Sequence, residues 1–124
     1  MFLRSILSGL IFLINFSAFG GADREVSSRE AWKKIEQSEG RFQDCLISKV
    51  EPMMARGASF VGFQTYLKVA CLDERKALWD SVANYAPLIW PNKTSDQILV
   101  IYDYKERFSR DEAVRAHVKA MGFE

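Results

Sequence analysis

Two cysteines bracket the stretch CLISKVEPMMARGASFVGFQTYLKVAC (residues 45–71), which has the turn sequence RGAS at its centre. Cys45 and Cys71 are 26 residues apart, too far for the C-x-x-C arrangement of redox-active thiols. A zinc site needs about four ligands, whereas the chain has two cysteines and one histidine. We therefore predict a structural disulfide between Cys45 and Cys71, and neither a metal site nor a cofactor site.

The central RGAS sequence predicts the turn of a helical hairpin. Gly57 can end one helix and Ser59 can cap the next, so that each cysteine lies about 11 to 12 residues from the turn, roughly 17 Å along its helix. Both sulfurs then lie at the same height in two antiparallel helices, as the Cα separation of about 6 Å in a disulfide requires. Closing a loop of this length stabilises a domain by roughly 3 kcal/mol.

Pro52 leaves the path of the first helix open. A proline in a helix interior costs about 3 kcal/mol and deprives the carbonyl four residues earlier, here that of Ser48, of its partner. Either the helix kinks at Pro52 and continues through MMAR, or it ends at Glu51 and a longer loop follows. The symmetric placement of the cysteines favours the kinked helix.

Apolar residues at helical spacing extend the predicted hairpin to residues 28–86. Ser27 with Glu30 forms a capping box at the start of the first helix, and the proline at position 87 ends the second helix at Ala86. The apolar positions are Ala31/Trp32, Ile35, Phe42, Cys45/Leu46 and Val50 in the first helix, and Phe60, Phe63, Leu67, Ala70/Cys71, Leu78 and Val82 in the second.

A connector, residues 87–93, and two shorter helices follow the hairpin. Thr94 with Gln97 forms a capping box for a helix over residues 94–107, and Ser109 with Glu112 forms one for a helix over residues 109–121. Residues 97–104 (QILVIYDY) also fit a short buried strand, but the capping box favours a helix. The predicted fold class is all-α: a disulfide-clamped antiparallel helical hairpin with two shorter packed helices, a three- to four-helix bundle.

The N-terminus predicts export. Arg4 precedes an uncharged apolar run that ends in small residues, among them Gly20 and Ala22, which is the order found in a secretory signal peptide. An uncleaved membrane anchor is the alternative, but serines, an asparagine and glycines dilute the run below the about 20 apolar residues of a spanning helix. We expect a signal peptide over residues 1–22, cleaved near Ala22, and a single small helical domain over residues 23–124. The expected location is the periplasm or the cell exterior, where disulfides persist.

The charge balance disfavours two classes of partner. Of the 17 basic side chains, Arg4 alone lies in the first 22 residues, so the mature chain carries 16 basic and 16 acidic side chains. Nucleic acids and anionic membranes bind surfaces with a surplus of Lys and Arg. We therefore expect no nucleic-acid partner and no membrane association after cleavage. The mixed-sign clusters DERK (73–76) and KER (105–107) are interpreted as solvent-exposed helix faces.

His117 is the only histidine and the only ordinary candidate for proton transfer near neutral pH. It lies among apolar residues at helical spacing, which favours a structural role at the edge of the buried face. An enzyme would need His117 in a pocket with at least one of Asp103, Asp111 and Glu112. Because no nucleophile, base and orienting partner form a recognisable set, we expect no enzymatic activity.

Met53 and Met54 are a second candidate for chemistry, because soft thioethers suit copper(I). Two adjacent methionines without a His- or Met-rich tract are more typical of packing at the end of a loop. We therefore assign them no ligand.

The connector carries the candidate contact surface. Trp90 lies between two prolines in PLIWP (87–91). An aromatic residue there either covers the open end of the hairpin or, if exposed together with Leu88 and Ile89, forms an apolar contact patch. Leu88, Ile89 and Trp90 are therefore the candidate partner-contact residues, and the expected partner is another exported or envelope protein.

One resemblance extends this interpretation. A secretion signal, a helical segment with one cysteine, the turn RGAS and a second helix with ACLDERKALW resemble small exported two-cysteine helical proteins of proteobacteria. The resemblance covers about residues 42–82. It implies an exported helical hairpin and no particular reaction, because many such proteins carry no assigned activity. The expected function is therefore non-enzymatic protein binding; the alternatives are a small enzyme that uses His117 and a homo-oligomeric structural or assembly component.

Overall fold

The computed structural model describes the backbone of residues 20–122 and the side chains of residues 27–122. Over this range the chain forms five helices and no strand: α1 (Gly20–Ile47), α2 (Val50–Ala55), α3 (Phe60–Leu67), α4 (Leu72–Ile89) and α5 (Ser95–Ala120). The all-α prediction is confirmed, and residues 97–104 are helix rather than strand. Among these helices, none combines the length and the apolar composition needed to cross a membrane.

The first and fourth helices pack side by side in antiparallel orientation. Cys45 and Cys71 form the predicted disulfide at one end of the pair, with their Cα atoms 6.2 Å apart. At the other end, the Ser28 hydroxyl donates to the carbonyl of Leu88 at 3.1 Å. The disulfide-clamped antiparallel pair is therefore confirmed.

The fifth helix packs against both, and it runs antiparallel to α4. Trp79 of α4 meets Tyr102 of α5 with ring centroids 5.1 Å apart, and Arg75, one turn earlier on α4, pairs with Glu106, one turn later on α5. The short helices α2 and α3 contact α5. The result is an up-down-up bundle of three long helices to which two short ones are added.

The core lies where these helices face one another. Fully burying a large apolar side chain contributes about 1.5–3 kcal/mol. Ser38 fills the polar gap in the apolar stripe of α1, where its hydroxyl meets that of Ser81 at 2.5 Å. The buried residues of the main apolar cluster are Ile35, Phe42 and Leu46 from α1, Val50 from α2, Phe63 and Leu67 from α3, Leu78, Val82 and Ala86 from α4, Ala113 from α5, and Ala70.

The first helix of the hairpin breaks before Pro52 rather than at it. α1 ends at Ile47, Ser48 and Lys49 form a turn, and α2 begins at Val50. Pro52 therefore lies in the first turn of α2, where the backbone N–H groups have no partner within the helix and proline is tolerated. The helical path continues through MMA as the kinked alternative predicts, but in a separate helix.

The second helix of the hairpin is divided as well. Ser59 caps α3 as predicted, accepting from the N–H of Gly62 at 3.0 Å. α3 ends at Leu67, and the chain reverses into α4 at Cys71, whose φ is +57°. The prediction that the cysteines lie 11 to 12 residues from the turn in two continuous helices is therefore wrong, because both helices are divided between each cysteine and the turn. The disulfide joins the last turn of α1 to the residue that precedes α4.

The end of α4 also differs from the prediction. The helix continues past Ala86 and Pro87 to Ile89, and the N–H of Trp90 donates to the carbonyl of Ala86 at 2.8 Å. A proline in the last turn removes only its own backbone bond, to the carbonyl of the residue four positions earlier. The burial of Ala86 in the core outweighs the local preference against a helix before proline.

The predicted helices over residues 94–107 and 109–121 are one continuous helix, α5. Its predicted start is correct, because Thr94 and Gln97 form both bonds of the capping box. The capping box predicted for Ser109 and Glu112 is wrong, since Ser109 lies buried inside the helix and Glu112 pairs with Arg115. Such a box begins a helix only where the preceding residue is not helical, and residues 98–108 contain neither glycine nor proline.

The first helix begins earlier than predicted, at Gly20 rather than at Ser28 after a cap at Ser27. Ser27 and Glu30 therefore lie inside α1, because no proline interrupts residues 20–47. Residues 1–19 of the predicted signal peptide lie outside the described range. Cleavage near Ala22 would remove less than one turn of the described helix.

Two double variants without the disulfide should distinguish the effect of the lost cross-link on stability from the effect of the left-handed backbone conformation at residue 71. The double variant Cys45→Ala/Cys71→Ala should lose roughly 3 kcal/mol of unfolding free energy. The double variant Cys45→Ala/Cys71→Gly should lose about 1 kcal/mol less, because glycine adopts positive φ without a steric penalty. Denaturant unfolding of both variants measures this difference, and equal stabilities would contradict a left-handed residue 71.

The buried Ser109 hydroxyl has no hydrogen-bond partner among the described residues. Ser109→Ala should therefore raise the unfolding free energy by about 1 kcal/mol, since it removes an unpaired buried group and adds a better helix former. Ser81→Ala is the matched control and should lower stability, because it leaves the Ser38 hydroxyl without its partner. Thermal unfolding of both variants tests this, and a destabilised Ser109→Ala would refute the prediction.

Candidate functional site

An open groove of about 970 Å³ lies between residues 28–32 of α1 and the end of α4. We call it the connector groove. Its described lining includes a basic side chain, Arg29, and no acidic one. The lining residues are Ser28, Arg29 and Trp32 from α1, Pro87, Leu88 and Ile89 from α4, and Pro91 and Asn92 from the connector.

A hydrogen bond between distant parts of the chain fixes one wall of the groove. The last four carbonyls of a helix have no partner within that helix. The Ser28 hydroxyl satisfies one of them, the carbonyl of Leu88, across 60 residues of sequence. The bond ties α1 to the end of α4 and so fixes the backbone that carries the Leu88 side chain.

Two tryptophans pack against each other at one side of the groove. The rings of Trp32 and Trp90 meet edge to face with centroids 5.6 Å apart. The Lys105 ammonium lies 5.4 Å from the Trp32 ring centroid and 3.3 Å from a carboxylate oxygen of Glu39. A cation over an aromatic face is attracted by the ring quadrupole, so Lys105 attaches α5 to this end of the bundle.

The predicted contact residues divide between two faces of the connector. Leu88, which is 50% exposed, and the half-buried Ile89 line the connector groove. Trp90 is half-buried, and with Ile89 it lines an adjoining depression of about 410 Å³ together with Lys93. The three residues are therefore neighbours in space, and Leu88 presents the most accessible side chain.

The sequence interpretation missed Trp32 as part of this surface. Ala31 and Trp32 are adjacent on an amphipathic helix, so only one of them can point into the core. Ala31 is 1% exposed and Trp32 is 39% exposed. The sequence shows that one of these two adjacent residues is exposed. Which of them is exposed depends on how α1 packs against α4 and α5.

The sulfur atoms that could bind a metal are occupied in the disulfide or packed against the core. Among the described residues, ligand atoms of Cys45, Cys71 and Glu74 lie within 4.8 Å of one another. Both sulfurs are joined in the disulfide, so neither is the thiolate that binds a metal. Met53 and Met54 are half-buried and pack against the core.

His117 is enclosed by aromatic side chains. It is 1% exposed, and its ring stacks on that of Phe63 with centroids 4.5 Å apart; Phe60 lies at 5.8 Å. Its Nδ1 has no hydrogen-bond partner in the described part of the chain. Asp103 and Asp111 lie on the exposed face of α5, so the structure does not bring them together with the imidazole.

Arg75 is the centre of a polar cluster between α3, α4 and α5. It pairs with Glu106, and its Nη2 donates to the carbonyls of Leu67 at 2.7 Å and Ala70 at 3.2 Å. Its guanidinium also lies 4.8 Å from the ring centroid of Phe42. The arginine thus satisfies carbonyls at the end of α3 while it joins α4 to α5.

This arrangement corrects the interpretation of the two mixed-sign clusters as exposed faces. The side chains of Arg75 and Glu106 are 16% and 13% exposed, and that of Lys105 is 12% exposed. Each pairs with a charge on another helix, which a composition pattern along one helix does not indicate. Asp73 and Lys76 are exposed as predicted.

Tyr102 adjoins this cluster. Burial raises the pKa of its phenol above the usual value of 10.0, and the Glu106 carboxylate acts in the same direction. The positive charge of Arg75 opposes both effects. The folded state therefore favours the neutral phenol.

No known protein family, curated protein or solved structure matches this chain.

Ionisation of Tyr102 should destabilise the fold at alkaline pH. A raised folded-state pKa contributes stability that is present below pH about 10 and is lost as the pH rises through that pKa. The melting temperature of Tyr102→Phe should therefore fall less than that of the wild type between about pH 9 and pH 11. Tyr104→Phe, whose residue is 67% exposed on the same helix, should follow the wild type; identical profiles for all three proteins would count against the burial effect.

Proposed function

We propose that this protein is an exported, non-enzymatic helical module that binds another exported or envelope protein through the connector groove. The observation that carries this proposal is an apolar groove at which Leu88 and Trp32 remain exposed. Export is supported by the N-terminal pattern of residues 1–22, and the disulfide is compatible with an oxidising compartment.

The groove has the properties of a contact site rather than of incidental surface. Single exposed apolar residues are common on proteins, but a contiguous apolar concavity is typical of interaction sites. Its walls are held by the Ser28–Leu88 hydrogen bond and the Trp32–Trp90 contact. A preformed site loses little conformational entropy on binding.

The chemistry of the groove favours a partner segment with apolar side chains and acidic neighbours. Pro87 and Pro91 lack backbone N–H groups, so the wall offers few donors for pairing with an added strand. The partner therefore binds by packing its side chains against Leu88 and Trp32. Arg29 lines the groove, and the Lys93 ammonium lies 5.9 Å from the Trp90 ring, which complements carboxylates on the partner.

Two matched variants test this function. Leu88→Gln should weaken partner binding by about tenfold or more, because it places an amide in the apolar contact. Leu72→Gln is the control, since Leu72 is 66% exposed on the same helix but at its opposite end. Exposed substitutions of this kind change stability by less than about 0.5 kcal/mol. Trp90→Ala is less suitable because it also removes the packing on Trp32.

The measurement has two stages. The purified oxidised chain and both variants are used as bait in a periplasmic extract, and a protein that wild type and Leu72→Gln retain but Leu88→Gln releases is identified by mass spectrometry. Titration calorimetry with that purified protein then gives the dissociation constants. Retention of the same proteins by all three baits, or of none by any, would contradict the proposal.

A further inference from the structure

A second, polar cleft of about 390 Å³ lies along the seam between α1 and α4. We call it the seam cleft. Ser38 of α1 and Ser81 of α4 lie in it, and their hydroxyl oxygens meet across the seam at 2.5 Å. The described lining of the seam cleft includes no residue of α5 and shares none with the connector groove. The two concavities are therefore separate surfaces of the bundle.

The hydroxyl pair in the seam cleft is not explained by the stability of the fold. Ser38 interrupts the apolar stripe of α1 and is 8% exposed. Replacing both members of a buried hydrogen-bonded pair by apolar groups can be nearly neutral for stability, so packing of the two helices does not require the hydroxyls. Each serine hydroxyl carries one proton, and among the described residues the pair makes its mutual bond alone. The second proton is therefore available to an acceptor in the cleft.

Three charged side chains line the seam cleft, and none of them has an ionic partner among the described residues. Lys34 and Arg41 lie on α1, about one turn on either side of Ser38. Asp80 lies on α4, next to Ser81. All three charged residues are exposed. Because the cations outnumber the carboxylate, the cleft favours an anionic ligand.

The lining groups together match an anion that also carries hydroxyl groups. The planar guanidinium of Arg41 can donate two parallel hydrogen bonds to a carboxylate. The Asp80 carboxylate accepts hydrogen bonds and donates none, so it requires protons on the ligand. Gln37 and Asn84 also line the cleft, and their amides both donate and accept, which suits hydroxyl groups. The ligand therefore needs one carboxylate and several hydroxyls.

We propose that the seam cleft binds a sugar acid, a monosaccharide that carries one carboxylate. The carboxylate lies on Arg41, ring hydroxyls donate to Asp80, and a ligand oxygen accepts the second proton of the hydroxyl pair. The volume of about 390 Å³ lies within the range of about 300–1,000 Å³ that is typical of small-molecule sites. The polar lining favours a hydroxylated ligand over an apolar one.

Two other classes of ligand fit the seam cleft less well. A polyanion such as a nucleic acid would place repeated negative charge beside Asp80, which lies next to the centre of the cleft. A simple amino acid offers a carboxylate to Arg41 and an ammonium to Asp80. It has no hydroxyl groups for the amides of Gln37 and Asn84.

Titration of the isotope-labelled, oxidised chain with glucuronate tests the site, because amide chemical shifts report where a ligand binds. We expect saturable shifts at residues 34–41 and 77–85 with a dissociation constant of about 1 mM, as the size of the ligand implies. Glucose has a hydroxymethyl group in place of the carboxylate, and it should bind about tenfold more weakly. Alanine keeps the carboxylate but has no hydroxyl group, and its affinity should be lower by a similar factor.

Four single variants test the assigned residues at equal changes of net charge. Arg41→Gln and Asp80→Asn should each weaken glucuronate binding by about tenfold. Arg107→Gln and Asp103→Asn are the matched controls, because both residues are exposed on α5 and outside the seam cleft. Both controls should bind glucuronate like the wild type, and thermal unfolding checks that all four variants are folded.

The double variant Ser38→Ala/Ser81→Ala tests the hydroxyl pair. It should keep a melting temperature close to that of the wild type, yet bind glucuronate about fivefold more weakly. Three results would each overturn the proposal: no saturable shifts in the wild type, binding of glucose or alanine as tight as that of glucuronate, and equal effects of Arg41→Gln and Arg107→Gln. Leu88→Gln should leave glucuronate binding unchanged, so this test is independent of partner binding at the connector groove.

Discussion

The covalent link between Cys45 and Cys71 sets the register of α1 against α4. With their Cα atoms 6.2 Å apart, the end of one helix must lie beside the start of the other, and residues 46–70 must form an excursion that returns to its origin. α2 and α3 lie in this excursion and contact α5. The excursion also contributes buried residues to the core, among them Phe63 and Leu67. A small domain buries a limited fraction of its surface, so the cross-link adds a covalent constraint to this apolar packing.

Arg75 reinforces the same corner of the bundle. The chain reverses at Cys71 in a left-handed conformation, which costs about 1–2 kcal/mol for a residue other than glycine. The guanidinium of Arg75 bonds the carbonyls of Leu67 and Ala70 and pairs with Glu106. It therefore connects the end of α3, the start of α4 and the middle of α5, and it compensates carbonyls that the reversal leaves without helical partners.

The opposite end of the bundle is held by different means and has a different character. There the Ser28–Leu88 hydrogen bond and the Trp32–Trp90 contact replace the covalent link. The last turn of α4 and the connector contain prolines and apolar residues, and the side chain of Leu88 is exposed. The proposed contact function lies at this end because a rigid backbone and an exposed apolar groove occur there together, while the disulfide-bonded end is closed by the excursion.

Local patterns in the sequence were sufficient to predict the helical class, the disulfide, the caps at Ser59 and Thr94 and most of the core, since spacing, capping and thiol pairing are short-range or compositional rules. They were not sufficient to place helix ends. Ser109 has the pattern of a cap but lies inside α5, and Ala86 precedes a proline but stays helical.

The candidate site, too, was only partly predictable from local patterns in the sequence. The connector sequence predicted Leu88, Ile89 and Trp90 as candidate contact residues, but Trp32 lies beside them only in the folded chain. Arg75 and Glu106 belong to clusters that resemble exposed faces, yet they pair across helices. The sequence by itself determined which residues are apolar, charged or able to cap. The tertiary structure decided which of them are buried or paired, because burial and ion pairing require groups that lie far apart along the chain.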